Sequence, residues 1–288
     1  MKSQLSIVLA TYNEENNIAS CLESIKHIAS EIIVVDGTST DKTVAIAKSF
    51  GAKVVVTTNP KIFHINKQKA LDMAKGEWIL QLDADERVTK ELGKEIVRVI
   101  QMDEKDVEEY QKSLAHKRLF LRHQALLEKR DGVIGDKTGS YVAFFIPRLN
   151  YFLGRYLRYG GVYPDGVIRL VKKNKAYFPC RDVHEQMSVQ GKVGWLQNPL
   201  LHRDSPTFDR YISRNKRYID LLTQEYKMQH VPKNFHTMMQ YVVIKPIVWF
   251  VMTFIRHKGF LDGWQGFVFS FYSARRFAVA YRNYIRHE

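Results

Sequence analysis

The chain has 288 residues, 45% of them apolar, and carries 44 Lys or Arg against 30 Asp or Glu, for a net charge of +14. That length and apolar content suffice for one substantial core or two smaller ones and exclude a disordered or repetitive chain. The two cysteines, Cys21 and Cys180, lie far apart with no CxxC pair or Cys/His cluster, which argues against a disulfide scaffold or a zinc site. The positive charge is uneven: from Pro206 to Glu288 there are 13 Lys or Arg and 5 Asp or Glu, so this stretch is expected to face an anionic surface. An apolar run that begins at Leu5 leaves too little room for the hydrophobic region of a signal peptide, and the expected setting is reducing and cytoplasmic.

Leu5 to Ala10 is a short, continuous apolar run that opens into Thr11-Tyr12-Asn13-Glu14-Glu15, the pattern of a strand buried on both faces and ending in a polar loop. Glu31 to Val35 repeats it and ends in Asp36-Gly37-Thr38-Ser39-Thr40-Asp41; further strands are predicted at Ala52 to Val56 and Trp78 to Leu82. Helices are predicted between them at Ile18 to Ala29, Lys42 to Phe50 and Lys67 to Ala74. Strand and helix alternate, which predicts an α/β fold with a parallel sheet. Ligands of such sheets bind beyond the carboxyl ends of the strands. Three polar clusters fall there: Thr11 to Glu15, Asp36 to Asp41 and Asp83 to Glu86.

Asp83-Ala84-Asp85 is the informative one, because a buried strand has no use for two carboxylates one residue apart, whereas Mg²⁺ or Mn²⁺ bound to a diphosphate has. Asp36, directly at a strand end, is suited to accept from a ribose hydroxyl or a base N–H. Ser39, Thr40 and Asp41 can equally cap the following helix. Neither G-x-G-x-x-G nor G-x-x-x-x-G-K-[ST] occurs, so no familiar glycine loop holds the phosphates.

The order of strand-TYNEE, strand-DG-S-TD, the stretch Lys67 to Glu77 and the LDADE strand resembles the nucleotide-sugar half of family 2 glycosyltransferases over roughly residues 3–100. The resemblance implies the GT-A fold, a Rossmann-like, mostly parallel sheet flanked by helices. It also implies nucleotide-sugar contacts from Thr11, Asn13, Glu14, Asp36, Lys69, Asp83 and Ala84, and a metal held by Asp85 with Asp83 beside it.

Residues 103–135 are highly charged with scattered apolar positions and read as a solvated helical insertion. Strands are predicted at Tyr141 to Pro147 and Gly166 to Val171, separated by the turn-rich Tyr159-Gly160-Gly161-Val162-Tyr163-Pro164-Asp165. Transfer by direct displacement needs a base at the acceptor hydroxyl, and Asp182-Val183-His184-Glu185 offers a His-Glu pair for it. Gly-Gly-x-Tyr-Pro-Asp, an Arg-Leu strand, Val-His-Glu, Leu201-His202 and Asn215-Lys216-Arg217-Tyr218 together look like the branch of family 2 that includes bacterial lipopolysaccharide core glucosyltransferases. That likeness places the base at Glu185, with His184 as a neighbour and Asp165 in reserve. His-Glu replaces the more usual Glu-Asp of the family.

Residues 1–205 are thus expected to form the catalytic domain, with a nucleotide-sugar half to residue 100 and an acceptor half from 136. Residues 206–288 form a basic helical tail. Met238 to Ile255 is apolar but interrupted by Lys245-Pro246, leaving an uncharged run of Pro246 to Ile255 that is too short to span a bilayer. With the aromatic stretch Phe260 to Tyr272 and the arginines that follow, it reads as shallow membrane insertion on anionic headgroups, the alternative being a buried helical pair. The expected activity is inverting transfer of a hexose, with UDP-glucose or a close relative as the expected nucleoside diphosphate sugar, to a glycolipid or lipid-linked saccharide in cell-envelope polysaccharide synthesis, by an enzyme peripheral on the inner face of the cytoplasmic membrane. A polyprenyl-phosphate glycosyltransferase is one alternative and a non-catalytic membrane-surface protein another. No nucleic-acid-binding motif is visible.

Overall fold

The computed structural model describes residues 4–181 and 186–286. Two compact units emerge, Met1–Arg148 with Pro164–His202, and Leu149–Tyr163 with Arg203–Glu288.

The first unit opens with β1 (Leu5–Thr11), α1 (Ile18–Ile25), β2 (Glu31–Asp36), α2 (Thr43–Ser49), β3 (Lys53–Val56), α3 (His64–Met73) and β4 (Trp78–Leu82), close to the expected elements. β5 (Glu86–Val88), α4 (Lys90–Val99), α5 (Glu104–Ser113), α6 (Lys117–Asp131), β6 (Tyr141–Phe152), β7 (Arg155–Leu157) and β8 (Gly166–Lys172) follow. The strands lie in the order β3-β2-β1-β4-β8-β6, parallel through β4 and antiparallel where β8 meets β4 and β6. Side chains alternate across the sheet. Leu5, Ile7, Leu9, Leu80 and Leu82 therefore pack with Ile18, Leu22 and Ile25 of α1 and Leu92 and Ile96 of α4 in one cluster. Val8, Ile33, Val35 and Ile79 pack with Ala70 and Leu71 of α3 in another. Burial on both faces explains why these strands read as unbroken apolar runs.

The segment read as a solvated insertion is built into this core. Trp195 stacks between Phe120 of α6 and Phe145 of β6, with ring centroids 4.7 and 4.6 Å away. Gln111 of α5 donates to the Trp195 carbonyl at 2.9 Å and accepts from its N–H at 2.9 Å. The charged positions of 103–135 decorate the outside, but Val107, Gln111, Phe120 and Leu127 face inward, which charge density alone concealed. Phe120→Ala is expected to lower unfolding stability by about 3–5 kcal/mol. Urea denaturation checks it, since a solvated helix would tolerate the change within about 0.5 kcal/mol.

β11 (Lys192–Trp195) lies parallel to β6, after the short antiparallel pair β9 (Ala176–Tyr177) and β10 (Ser188–Val189). β12 (Leu200–Ser205) pairs with β5 in antiparallel register, Leu200 opposite Val88 and His202 opposite Glu86. This pairing returns the chain to the turn after β4.

In the second unit, α7 (Phe208–Met228) is followed by a helical stretch Phe235–Arg256 and a final helix Gly263–Arg286. Leu149–Tyr163, expected to belong with the acceptor half, groups here instead. β6 runs on beyond Arg148, and its Phe152 packs with Leu157 of β7 and Tyr211 of α7. Lys245-Pro246 does not break the helix. Gln240–Ile244 and Val251–Arg256 wind as wider π turns on either side, and Pro246 sits in the first turn of the intervening α segment; such turns re-route the backbone hydrogen bonds that proline cannot make. Phe235–Arg256 is therefore one helix of 22 residues, long and apolar enough by length and composition to cross a membrane, and its most apolar window is only 6% buried.

Candidate active site

The carboxyl ends of β1 and β2 are tied together by the expected polar clusters. Thr11 donates through Oγ1 to Asp36 Oδ2 at 2.8 Å, and Ser39 donates to the same carboxylate through its N–H at 2.7 Å and its hydroxyl at 2.6 Å. Asp36, expected to face a ribose or base, is instead fully buried and organises the loop beneath the strand ends. Asn13, in left-handed backbone at φ 52°, donates its N–H to Ser39 Oγ at 2.8 Å and accepts from Thr40 N–H at 2.9 Å. Glu14 N–H donates to Thr43 Oγ1 at 2.7 Å, and Glu14 Oε2 accepts from Asn17 Nδ2 at 2.8 Å. Asp41 accepts from Glu15 N–H at 3.0 Å and Thr43 N–H at 2.9 Å, so it satisfies the first N–H of α2 and also bridges the two loops.

At the end of β4 the carboxylates of the acidic cluster point to different partners. Asp83 Oδ1 meets Lys67 Nζ at 2.5 Å, and Asp83 Oδ2 accepts from Arg169 Nη2 at 2.6 Å. Burial opposes ionisation of Asp83, but the charges of Arg169 and Lys67 more than reverse it and hold the carboxyl well below the ordinary range. Burial likewise pushes the Lys67 ammonium down, which Asp83 only partly opposes. Glu86, fully buried, accepts from Arg169 Nη2 at 2.7 Å and lies 3.6 Å from Arg148 Nη1. Arg148 reaches Asp165 Oδ2 at 2.9 Å through its other terminal nitrogen. Asp85 faces elsewhere: its Oδ2 lies 3.5 Å from His202 Nε2 on β12. Ala84, buried between the two aspartates, gives its carbonyl to Arg87 Nη1 at 2.7 Å.

Several expected positions move. Lys69 is exposed, and Lys67, about 200° away around α3, is the lysine that reaches the acidic turn. Asp83 has both oxygens engaged by cations, whereas Asp85 faces His202. Asp165, the reserve base, is ion-paired with Arg148. His184 and Glu185 lie outside the described residues. Arg148, Arg169 and the contact of His202 with Asp85 were not foreseen. A guanidinium inside the apolar run Val167-Ile168-Arg169-Leu170-Val171 is itself a signal, because a buried charge requires a counter-charge.

Among the described residues, no group of three His, Cys, Asp or Glu side chains comes together to hold a metal ion unaided. One carboxylate and one imidazole nevertheless fit a divalent ion that takes its remaining ligands from a diphosphate and water.

The sheet thus ends, at the carboxyl edge of its parallel strands, in an acidic turn held by buried cations and backed by a histidine. The sequence model of glycosyl transferase family 2 matches residues 6–149, half of the chain, and the chain belongs to that family, with its GT-A fold. An uncharacterized glycosyltransferase of Rickettsia bellii (strain RML369-C) is 42% identical over 107 residues, which are 37% of this chain and 36% of that protein. The chain thus matches about a third of that relative's length. The lipopolysaccharide core biosynthesis glycosyltransferase LpsC of Rhizobium meliloti (strain 1021) is 25% identical over 293 residues, covering 96% of this chain and 92% of that one. Among solved structures, glucosyl-3-phosphoglycerate synthase from Mycobacterium tuberculosis in complex with Mn²⁺, uridine diphosphate and glucosyl-3-phosphoglycerate is 30% identical over 29% of this chain and 34% of that one. Its TM-score of 0.26 relates only a fragment of the two folds.

Proposed function

We propose that this glycosyltransferase is an inverting hexosyltransferase that moves glucose or a close relative from a UDP sugar to a glycolipid or lipid-linked saccharide in cell-envelope polysaccharide synthesis. The observation that carries the reading is the acidic turn after β4, where Asp83 and Glu86 are held by Arg169 while Asp85 faces His202. The full-length likeness to a lipopolysaccharide core enzyme supports the acceptor class.

In this reading the loops around Thr11, Asn13 and Glu14 receive the nucleoside, with Asp36 fixing their shape from beneath. Asp85 and His202 would hold Mn²⁺ or Mg²⁺, with Mn²⁺ favoured because the set includes a nitrogen donor. When bound, the ion supplies Lewis-acid stabilisation of the departing diphosphate. Lys67 adds positive charge at the same edge. Glu185 accepts the proton of the acceptor hydroxyl as that oxygen bonds to the anomeric carbon, the bond from that carbon to the diphosphate oxygen breaks, and configuration inverts. The Arg148 ion pair makes Asp165 the poorer base and assigns it to holding the turn before β8.

The second unit is read as the membrane-binding part, acting at the inner face of the cytoplasmic membrane. Ile247, Val248 and Val251 on Phe235–Arg256, with Phe260, Trp264 and Phe267 beyond it, are all 48–60% exposed, an apolar surface that a lipid interface would cover. Ile247→Glu combined with Phe267→Glu is expected to weaken co-sedimentation with anionic phosphatidylglycerol vesicles by roughly tenfold or more, as each change withdraws about 1.5–3 kcal/mol of apolar burial. Unchanged sedimentation would remove the membrane from the proposal. The activity itself is tested by incubating labelled UDP-glucose with Mn²⁺ and membrane lipid extract. Label should enter the lipid phase with release of UDP, and failure across a panel of nucleotide sugars would end the reading.

A further inference from the structure

The acidic turn contains three carboxylates, and the two flanking Asp85 share one guanidinium. Arg169, 95% buried on β8, directs Nη2 to Asp83 Oδ2 at 2.6 Å and to Glu86 Oε1 at 2.7 Å, while its Nη1 donates to Gln81 Oε1. The backbone between these anchors is closed by Glu86 N–H donating to the Asp83 carbonyl at 3.0 Å and Asp83 N–H donating to Glu86 Oε2 at 2.9 Å. Arg87 pins the same turn from the other side, donating to the Ala84 carbonyl at 2.7 Å and, through Nη2, to the Asn17 carbonyl at 2.8 Å. Asp85 lies inside a backbone clamp whose inner jaw is Arg169.

We propose that Arg169 is the positioning residue of the metal site: by binding the carboxylates on both sides of Asp85, it fixes the turn so that Asp85 is the carboxylate turned toward His202. This rests on the reading of Asp85 as a metal ligand. The arrangement also accounts for a feature that the paired aspartates alone leave open. Three carboxylates within four residues would repel one another and compete for an incoming cation. Lys67 and Arg169 on Asp83, and Arg169 and Arg148 on Glu86, offset that repulsion and hold the two flanking carboxylates in place, with Asp85 between them facing His202. The opposing possibility is that Arg169 only neutralises buried charge. A neutralising role affects folding, whereas a positioning role affects the affinity of Asp85 for metal. Lysine separates them, because an ammonium keeps the charge but lacks the fork that spans two carboxylates.

The experiment is a Mn²⁺ titration with UDP present, reading unbound Mn²⁺ by electron paramagnetic resonance, on the wild type, Arg169→Lys and Arg169→Met, with urea denaturation in parallel. Both variants should bind Mn²⁺ 10–100-fold more weakly, the range found when a residue that orients a metal ligand is removed. Glu86→Gln, which keeps an acceptor for Asp83 N–H, should shift affinity in the same direction and serves should Arg169→Met not fold. Folded Arg169→Lys or Glu86→Gln protein with Mn²⁺ affinity within twofold of wild type would overturn the inference while leaving the site reading intact. Wild-type protein that binds neither Mn²⁺ nor UDP would overturn both.

Discussion

Asp85→Asn is expected to lower glycosyl transfer by about 10³-fold, the scale associated with removing one preorganised group that stabilises developing negative charge. Asparagine keeps the shape of the side chain but removes the negative charge a divalent ion requires. Because the Lys67 and Arg169 contacts fall on Asp83, Asp85→Asn should cost less unfolding stability than Asp83→Asn. Asp83→Asn should act mainly on stability, with transfer lowered only as far as a loosened turn weakens metal binding, about 10–100-fold. Its carboxylate is held between Lys67 and Arg169, and weakening both contacts costs about 1–3 kcal/mol or more of stability. Initial rates at saturating donor, paired with denaturation curves, distinguish the two residues. A chain in which Asp83→Asn abolished transfer without loss of stability, while Asp85→Asn was active, would reverse the assignment.

Glu185→Gln is expected to slow transfer by about 10²–10⁴-fold, the usual contribution of a general base, while UDP-sugar and Mn²⁺ binding stay at parental values. The split follows from the role, since the base acts on the acceptor hydroxyl and has no part in holding the donor. Asp165→Asn should cost less in rate and more in stability, because it leaves Arg148 without one of its two carboxylates. Single-turnover rates measured alongside donor affinity check both. A parental rate for Glu185→Gln with a collapsed rate for Asp165→Asn would move the base to Asp165. The pH profile supplies an independent constraint. Asp83 is held well below the ordinary carboxylate range, so its stabilising contribution is complete above about pH 4 and is lost only as pH falls through its lowered value. An acidic limb in the rate between about pH 5 and 7 therefore belongs to another group.

The alternating strands and helices of residues 5–99 were legible from sequence because their determinants are local. Strands such as Leu5–Thr11 and Trp78–Leu82 are buried on both faces and appear as unbroken apolar runs, and the polar clusters that end them fall at the carboxyl edge of the sheet. What escaped depends on contacts distant along the chain. His202 reaches Asp85 only because β12 returns to pair with β5. Arg169 meets Asp83 and Glu86 because β8 lies antiparallel beside β4. Lys67 and Lys69 are nearly equivalent in sequence, and helix phase alone decides which of them meets the acidic turn. The 103–135 segment was misread because surface charge outnumbers the few residues, Phe120 foremost, that carry its packing. Lys245-Pro246 carries a helix-breaking signature, yet the π turns on either side keep Phe235–Arg256 continuous.

The central claim is that Asp85 makes donor binding depend on a divalent metal, and the most direct measurement is a calorimetric titration of UDP-glucose into wild type and Asp85→Asn, with Mn²⁺ and with EDTA. The expected result is binding by the wild type at least tenfold tighter with Mn²⁺ than with EDTA, and a variant whose affinity is the same in both. Equal affinity of the wild type with and without Mn²⁺, or Mn²⁺-enhanced binding that survives in Asp85→Asn, would contradict it.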